Sequence, residues 1–560
     1  MNLYNYLFSH HNRLLSKLYR TGQLLCRIGA RILMYLCVHS GSAHRFSSNF
    51  INRCEFLKRS NALTANQKNG LLANPNRLVG LFILGFACIY AVIPLLWYQT
   101  ILPDSAQNLT WGHMWLWSYN RHPPLGTWLV SFMSLIFNNN EIAVFSSNVL
   151  CLSISLFFIY KLSKRYLDSQ SAAVACILTS CSMYYLTNYA LQFNQNTIML
   201  PFWVMTCYFF DSCLRDNRVK DWLFLAIVTA GSLLAKYESL LIILLLFLYL
   251  LWRFEYKFFT RVTMAFVASL ALLAPHLKSV AEHGFLTWKF MFAIVDGTRS
   301  DGFFYLHLCQ PLMAFFDQLS HVLPAILLLL VFVKNKQIVR QAYSVKSTKF
   351  NYLIYLGIAP LILVILLSFI FGLRIITEWG CPLFSFTLPA IMSYFQIKSR
   401  PSLLRSLVLI ALAFHLSTLL IYTSVNYFSE KMSRVNYPSY ALAKRAQQYW
   451  QTFTSQPLKY VGGDEYIDYY LAAYLPTKPL LLEAFSLQHS PWLNEMKLKK
   501  HGIMVVIKGC NSVNNMRLKK QLSAKAYQCI KLALSNKYQE QFTKLTLMVV
   551  PPAEYVTKLN

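Results

Sequence analysis

Few side chains in this chain have the chemistry and the setting to act on a substrate, and the clearest is Asp104. It lies in Leu102-Pro103-Asp104-Ser105-Ala106-Gln107, just past the first long apolar run. The same stretch continues through Trp111-Gly112-His113 and Asn120-Arg121-His122-Pro123-Pro124-Leu125-Gly126-Thr127-Trp128 and is rich in aromatics. A lone carboxylate there can take a proton from an attacking hydroxyl or amine. It can equally be a helix cap or an acid at an interface. Asp317 and His321 fall one helical turn apart inside another apolar run. Charge is costly in a bilayer, which makes such a pair a functional candidate, and its place near the run's end fits a structural pair equally well.

The elements that must hold these residues follow from composition. The chain has 560 residues, 56% apolar and only 13% charged, with an aromatic fraction of 15%. Soluble proteins carry about 25% charged residues, so an ordinary soluble enzyme, a disordered chain and a fibrous chain are all excluded. Apolar runs of spanning or near-spanning length occupy 79–98, 142–160, 171–187, 197–213, 222–235, 239–252, 262–276, 312–333, 352–371, 380–395 and 403–425. Eleven transmembrane helices are expected, although several runs must borrow flanking residues to reach the ~20 that a span needs. The shorter run 125–137 reads as an interfacial helix.

Basic residues number 52 against 22 acids, a net charge of +30. They fall between the apolar runs and in the flanks, with no nucleic-acid-binding motif, so nucleic acid is not expected as a partner. With residues 1–78 on the cytoplasmic side, the connections 161–170, 214–221, 253–261, 334–351 and 396–405 hold 17 Lys and Arg in 55 residues. The opposite connections 99–141, 188–196, 236–238, 277–311 and 372–379 hold 6 in 98. The positive-inside rule then places the amino terminus in and the carboxy terminus out. Three parts result: a basic cytoplasmic segment 1–78, a transmembrane domain 79–425, and an extracytoplasmic domain 426–560. The last shows strand-like runs at Gly502-Ile503-Met504-Val505-Val506-Ile507 and Leu545-Thr546-Leu547-Met548-Val549-Val550 around a lysine-rich, helical 516–535. It reads as a small α/β or α+β unit. The long connection 277–311, with Asp296 and Asp301 beside Gly297 and Gly302, reads as a mobile cover.

Thirteen cysteines are scattered without a CxxC or Cys/His cluster, which fits neither a disulfide framework nor a zinc site. Cys510 and Cys529 are the pair in the tail, able to bridge if that part is oxidised.

In order along the chain, several short motifs resemble the membrane glycosyltransferases of the GT-C fold, closest to the protein-mannosyltransferase and aminoarabinose-transferase group, glycosyltransferase family 39. They are the acid after the first run, His122-Pro123-Pro124-Leu125 followed by Trp128, Phe193-Asn194-Gln195-Asn196 before Pro201-Phe202-Trp203, Ala235-Lys236-Tyr237, and Arg374 with Trp379-Gly380-Cys381-Pro382-Leu383. In the tail, Tyr460-Val461-Gly462-Gly463-Asp464 and Ser490-Pro491-Trp492 resemble an outer domain of bacterial members.

The resemblance implies an enzyme that moves a sugar from a polyprenyl-phosphate donor to an acceptor on the outer face. That acceptor is a lipid such as lipid A, a glycan or a protein. The likeness of the tail points to a bacterial inner membrane with a periplasmic face. Asp104 becomes the base or acceptor-orienting carboxylate. Lys236, Arg374 and Arg121 become partners of the donor phosphate, by point charge or bidentate fork, against the alternative that they anchor to lipid headgroups. His122, Asn194, Asn196 and Trp379 would line the substrate pocket. His122 is read as shaping the loop ahead of transferring protons, and the two asparagines either bind ligand or cap the next helix. Glu238 is read as neutralising Lys236. No metal-ligand spacing stands out; a divalent ion between Asp104 and the donor phosphate is chemically admissible without support in the residues. Where the family commonly has Asp-Glu, this chain has Asp104-Ser105, and a later acid is replaced by Gln107. A transporter or flippase of lipid-linked sugars and a non-catalytic assembly protein are the rival readings.

Overall fold

Asn74 opens the helical part of the chain by accepting the Asn76 N–H, with Pro75 in the first turn, where its missing donor costs nothing. The computed structural model describes residues 74–296, 302–334, 338–340, 351–399, 401–428, 434–464, 466–510, 526–533 and 542–553. Most of the basic segment 1–78, Asp301, and much of the expected lysine-rich helix 516–535 lie outside those residues.

The first helix, α1 (Pro75–Trp97), is followed by α2 (Pro103–Gly112), α3 (Leu125–Phe137), α4 (Asn140–Ser163), α5 (Ser169–Ser180) and the five-residue α6 (Thr187–Leu191). Then come α7 (Gln195–Asp216), α8 (Val219–Ala235), α9 (Leu240–Trp252), α10 (Phe259–Glu282) and α11 (Leu286–Asp296). The bundle ends with α12 (Gln310–Lys334), α13 (Tyr352–Phe371), α14 (Thr387–Tyr394) and α15 (Pro401–Tyr427). Side-chain caps at Asn139, Asp168, Asn194 and Asn351 start four of these helices. Gly372, at φ +64°, ends α13 in the left-handed region that glycine adopts without strain.

Seven described helices are long and apolar enough to cross a membrane, each overlapping one of the eleven expected runs. The remaining four runs are helical but shorter: α5 has 12 residues, α8 17, α9 13 and α14 8. The run 171–187 stops being α-helical at Cys181 and passes through a 3-10 turn at Met183–Tyr185, while Lys236–Ser239 forms the tight turn between α8 and α9. Large apolar side chains such as Leu84, Ile362, Leu409 and Ile421 stay exposed on the bundle's flanks, as lipid contact requires. The α3 helix also exposes Phe132, Leu135, Ile136 and Phe137. The connection 277–311 is not a loop through most of its described length: α10 runs to Glu282, α11 follows, and Tyr305–Cys309 is π-helical.

One end of the bundle is locked by charge. Asp211 on α7 accepts from Arg165 at 2.7 Å, from Arg215 at 2.8 Å, and from the Tyr166 hydroxyl. The other end of α7 begins at Asn194, beside the turn that carries Asp104.

Residues 74–560 form one compact unit. After β1 (Ile338–Arg340) and β2 (Ile397–Ser399), an antiparallel pair, the tail adds α16 (Ser439–Gln451), β3 (Tyr460–Gly463), α17 (Ile467–Tyr474), β4 (Leu480–Leu482), α18 (Glu495–His501), β5 (Ile503–Lys508), β6 (Ala526–Ala533) and β7 (Phe542–Val550). The five-stranded sheet has the order β4-β3-β5-β7-β6, with β3 parallel to β4 and β5 and the other pairs antiparallel. Central β5 is buried along Ile503–Ile507, consistent with cover on both faces. At Gly463 a Cβ would lie 2.2 Å from the Val506 carbonyl oxygen, so only glycine permits this approach of β3 to β5. The expected helix over 516–535 is corrected for 526–533, which is strand β6 paired with β7. Ile530 and Leu532 are buried there while Cys529 and Lys531 are exposed, a period of two that suits a half-buried strand. Cys510 and Cys529 form a disulfide, 19 residues apart.

A bridge closing that loop restricts the unfolded chain by about 3 kcal/mol. Thermal unfolding of the purified protein with and without reductant checks this. The wild type is expected to lose several degrees on reduction, and a Cys510→Ser/Cys529→Ser variant is expected to match the reduced wild type and ignore the reductant.

Candidate functional site

Asp104 sits in the first turn of α2, where Pro103 leads and the helix dipole favours a negative charge. Asn108, one turn on, donates its amide to the Asp104 carbonyl at 2.9 Å and accepts from Thr127 at 3.0 Å and Gln195 at 2.8 Å, which ties α2 to α3 and α7. Ser105 is buried, donating to the Phe193 carbonyl at 3.0 Å and accepting the Phe193 N–H at 3.1 Å. The turn before α7 is thereby fastened to the turn that carries Asp104.

Asn194 does two jobs. Its Oδ1 accepts the N–H groups of Asn196 and Thr197 at 3.0 and 3.2 Å, capping α7, and its Nδ2 donates to Asp104 Oδ2 at 3.3 Å. Asn196 points elsewhere: its Oδ1 accepts from Lys236 Nζ at 2.6 Å. Lys236 is also held by Glu238 at 2.5 Å and lies 4.8 Å from the Trp379 ring centroid. One helix start therefore links the carboxylate to the ammonium.

Gln192, Asn194, Asn196, Tyr184, Tyr189 and Glu378 line a narrow cleft, with Cys381 and Leu152 in its wall. Behind it, Tyr184 donates to Gln318 at 2.5 Å, Thr377 donates to Asp317 at 2.7 Å, and Tyr189 meets His321 Nε2 at 3.2 Å. Asp317 and His321 thus stand behind the cleft and support its lining.

Arg121 lies 5.1 Å from the Phe290 ring, and His122 stacks near Trp111 and Phe290. Arg374 is exposed in the segment between Gly372 and the Thr377–Gly380 turn, with no hydrogen-bond or ion-pair partner among the described residues. So Asp104, Asn194, Asn196, Lys236 and Trp379 are brought together, Arg121 and His122 stand on the adjoining loop, and Arg374 makes no contact with them. Sequence reasoning missed Glu378, Tyr184, Tyr189 and Gln192; only the place of Glu378 next to Trp379 pointed to it.

Burial raises the Asp104 carboxyl above its ordinary value; the Asn194 hydrogen bond opposes this, the Glu378 charge adds to it, and Arg434 and Gln192 work against it. Burial likewise raises Glu238, against the pull of Lys236. His122 is pushed down to about 3 by burial and then by Lys236 and Arg121, so it is neutral at physiological pH. Its two cationic neighbours set the sign of the local field. Among the described residues no group of three or more metal-ligating side chains occurs.

Comparison with known proteins bears on the fold. ArnT from Cupriavidus metallidurans bound to undecaprenyl phosphate superposes with a TM-score of 0.57 at 12% identity, over 84% of this chain and 97% of that one. Its apo state gives 0.52 at 13% identity over the same shares. The fold is that of the GT-C membrane glycosyltransferases. Residues 121–278 match the family described as dolichyl-phosphate-mannose-protein mannosyltransferase, a span that holds Arg121, His122, Asn194, Asn196 and Lys236. No curated protein matches in sequence.

The electrostatics predict two shifts of opposite sign. If Asp104 must be ionised to act, activity falls as pH drops through its raised pKa. Asn194→Ala removes a group that favours the carboxylate, so the acid limb of kcat/KM moves to higher pH. Glu378→Gln removes an opposing charge, so the limb moves to lower pH. A pH–rate series on both variants tests the pair; shifts of the same sign would contradict the arrangement.

Proposed function

We propose that this chain transfers a sugar from a polyprenyl-phosphate carrier to a hydroxyl or amine acceptor at the extracytoplasmic face of a bacterial inner membrane, with inversion at the anomeric carbon. The observation that carries the proposal is the pairing of Asp104 and Lys236 across the cap of α7, through Asn194 and Asn196. In this reading the Asp104 carboxylate takes the acceptor's proton as the acceptor's oxygen or nitrogen bonds to the sugar's anomeric carbon. The bond from that carbon to the phosphate oxygen breaks, and the polyprenyl phosphate leaves with the electron pair. Negative charge grows on the leaving phosphate, where fixed cations lower the barrier most. Lys236 carries three N–H groups; Asn196 and Glu238 take two, leaving one for a phosphate oxygen. Arg121 on the adjoining loop supplies a second cation, and Arg374 is a third only if it turns inward.

The bundle supports a lipid donor. A groove runs between α7, α8, α9 and α10, lined almost wholly by apolar side chains that include Leu233 and Leu240. Those two residues flank the turn that bears Lys236. A phosphate at Lys236 would therefore stand at the groove's mouth with room below it for a prenyl chain. The charge asymmetry of the connections and the Cys510–Cys529 bridge both favour an oxidising, extracytoplasmic side for this end. The acceptor is a lipid such as lipid A, a glycan or a protein.

Purified protein in lipid, given a panel of polyprenyl-phosphate sugars and a crude envelope extract, should release free polyprenyl phosphate with one donor. Asp104→Asn should cut that release by about 10²–10⁴-fold, the usual worth of a positioned base, while donor binding persists. Lys236→Ala should weaken donor binding by about tenfold, as loss of a charge-assisted contact does. Donor binding without release from any sugar, in the presence of the extract, would favour a carrier instead.

A further inference from the structure

Asp104, Gln107 and Trp111 share one face of α2, spread over an arc of about 60° at 3.6 residues per turn. Asp104 accepts from Asn194, which lines the cleft, and the other two are gripped by the tail. Trp111 is fully buried and donates its indole N–H to Glu483 Oε1 at 2.7 Å. Gln107 donates to the Tyr469 hydroxyl at 2.7 Å, and that hydroxyl donates to Glu483 Oε2 at 2.8 Å. Thr110 also reaches the Tyr469 carbonyl at 3.4 Å. Glu483 itself is 1% exposed, and its backbone N–H is fixed by Ser490 at 2.7 Å. Asn120 and Arg121 act on the same carboxylate from the loop beyond α2. The Trp111 ring stacks on Tyr119 at 5.2 Å and meets Tyr469 edge-on at 6.4 Å.

We infer that Glu483 is a positioning residue for the transfer reaction: through Trp111 and Tyr469 it holds the rotation of α2, and so the aim of Asp104, while it steadies the loop bearing Arg121. This rests on the reading of Asp104 and Arg121 given above. Glu483 touches neither the cleft lining nor Lys236, and acts only through other groups. A buried carboxylate is costly unless its hydrogen bonds are made, and here they run directly to Trp111 of α2 and, through Tyr469, to Gln107 of the same helix. The tail is thereby part of the active assembly and does not merely cover it.

The test uses the full-length protein in lipid nanodiscs and reads two quantities. The first is hydrogen exchange of amides 103–122, which needs no substrate. Glu483→Ala should speed exchange there by at least about tenfold and leave the β5 amides unchanged. The second is turnover with whichever donor the wild type accepts. Glu483→Ala should lower kcat by about 10–100-fold, the usual effect of a misplacement near 1 Å, with little change in KM for the donor. Glu483→Gln keeps an acceptor for Trp111 and, after the Gln107 amide reverses, a donor for Tyr469, so it should restore both readouts. A merely structural role predicts the loss of folded protein with normal kcat per bound undecaprenyl phosphate, and rules the inference out. If Glu483→Ala does not fold, Trp111→Phe removes one hydrogen bond and keeps the ring, and it should speed exchange in 103–112. Unchanged exchange in the folded variants would overturn the inference. If the wild type transfers no sugar, the proposed function fails, while the exchange readout still decides whether the clamp exists.

Discussion

The amide of Asn194 is shared between a helix and a carboxylate, and the arrangement around Asp104 and Lys236 depends on that division. A helix begins with four N–H groups that have no partner in the helix. Asn194 satisfies two of them with Oδ1, which fixes its side chain, and the fixed side chain then presents Nδ2 to Asp104. Two residues later, Asn196 receives Lys236. The spacing of carboxylate and ammonium is thus set by backbone geometry at the start of α7, not by the flexing of a long side chain. Ser105 adds a second fastening from the other direction, bonding both backbone groups of Phe193.

The two ends of α7 show how hydrogen-bond capacity separates structure from chemistry. At one end Asp211 accepts from two arginines and a tyrosine, so its oxygens are engaged on several sides and the group serves as a lock. At the other end Asp104 accepts a single amide at 3.3 Å with Gln192 close by. A carboxylate has about four acceptor sites, and Asp104 therefore keeps capacity for an incoming hydroxyl. Its affinity for a proton is raised by burial and by Glu378, which is the direction a general base needs when it starts from an ordinary aspartate.

Much of this was legible before the fold was known, because it is encoded locally. Apolar runs mark the helices, and a lone acid, a lysine in a short turn and two asparagines before a run stand out against an apolar background. The limits arise where tertiary contacts decide. The run 171–187 has the composition of a span, yet its helix stops at Ser180, and Tyr184 is used to line the cleft. Residues 526–533 read as part of a lysine-rich helix, but pairing with β7 makes them a strand. Glu378 and Glu483 are hundreds of residues from Asp104 in sequence; only the neighbouring Trp379 points to the first, and nothing near Glu483 marks its destination. Arg374 had the right type and the right motif, and the fold leaves it exposed.

The departures from the family pattern at positions 105 and 107 also become intelligible. A carboxylate at position 105 would point at the Phe193 carbonyl oxygen, which repels it, whereas the serine hydroxyl both donates and accepts there. A carboxylate at position 107 would meet the Tyr469 hydroxyl, already committed as a donor to Glu483, and would place two acids around one phenol. A neutral amide can donate to that hydroxyl instead. The tail's Glu483 thus accounts for a glutamine at position 107, and the turn before α7 accounts for a serine at position 105. A second carboxylate comes from elsewhere: Glu378, in the turn after α13, lines the cleft beside Asn194. Its charge resists ionisation of Asp104, and the two acids are drawn from distant parts of the sequence.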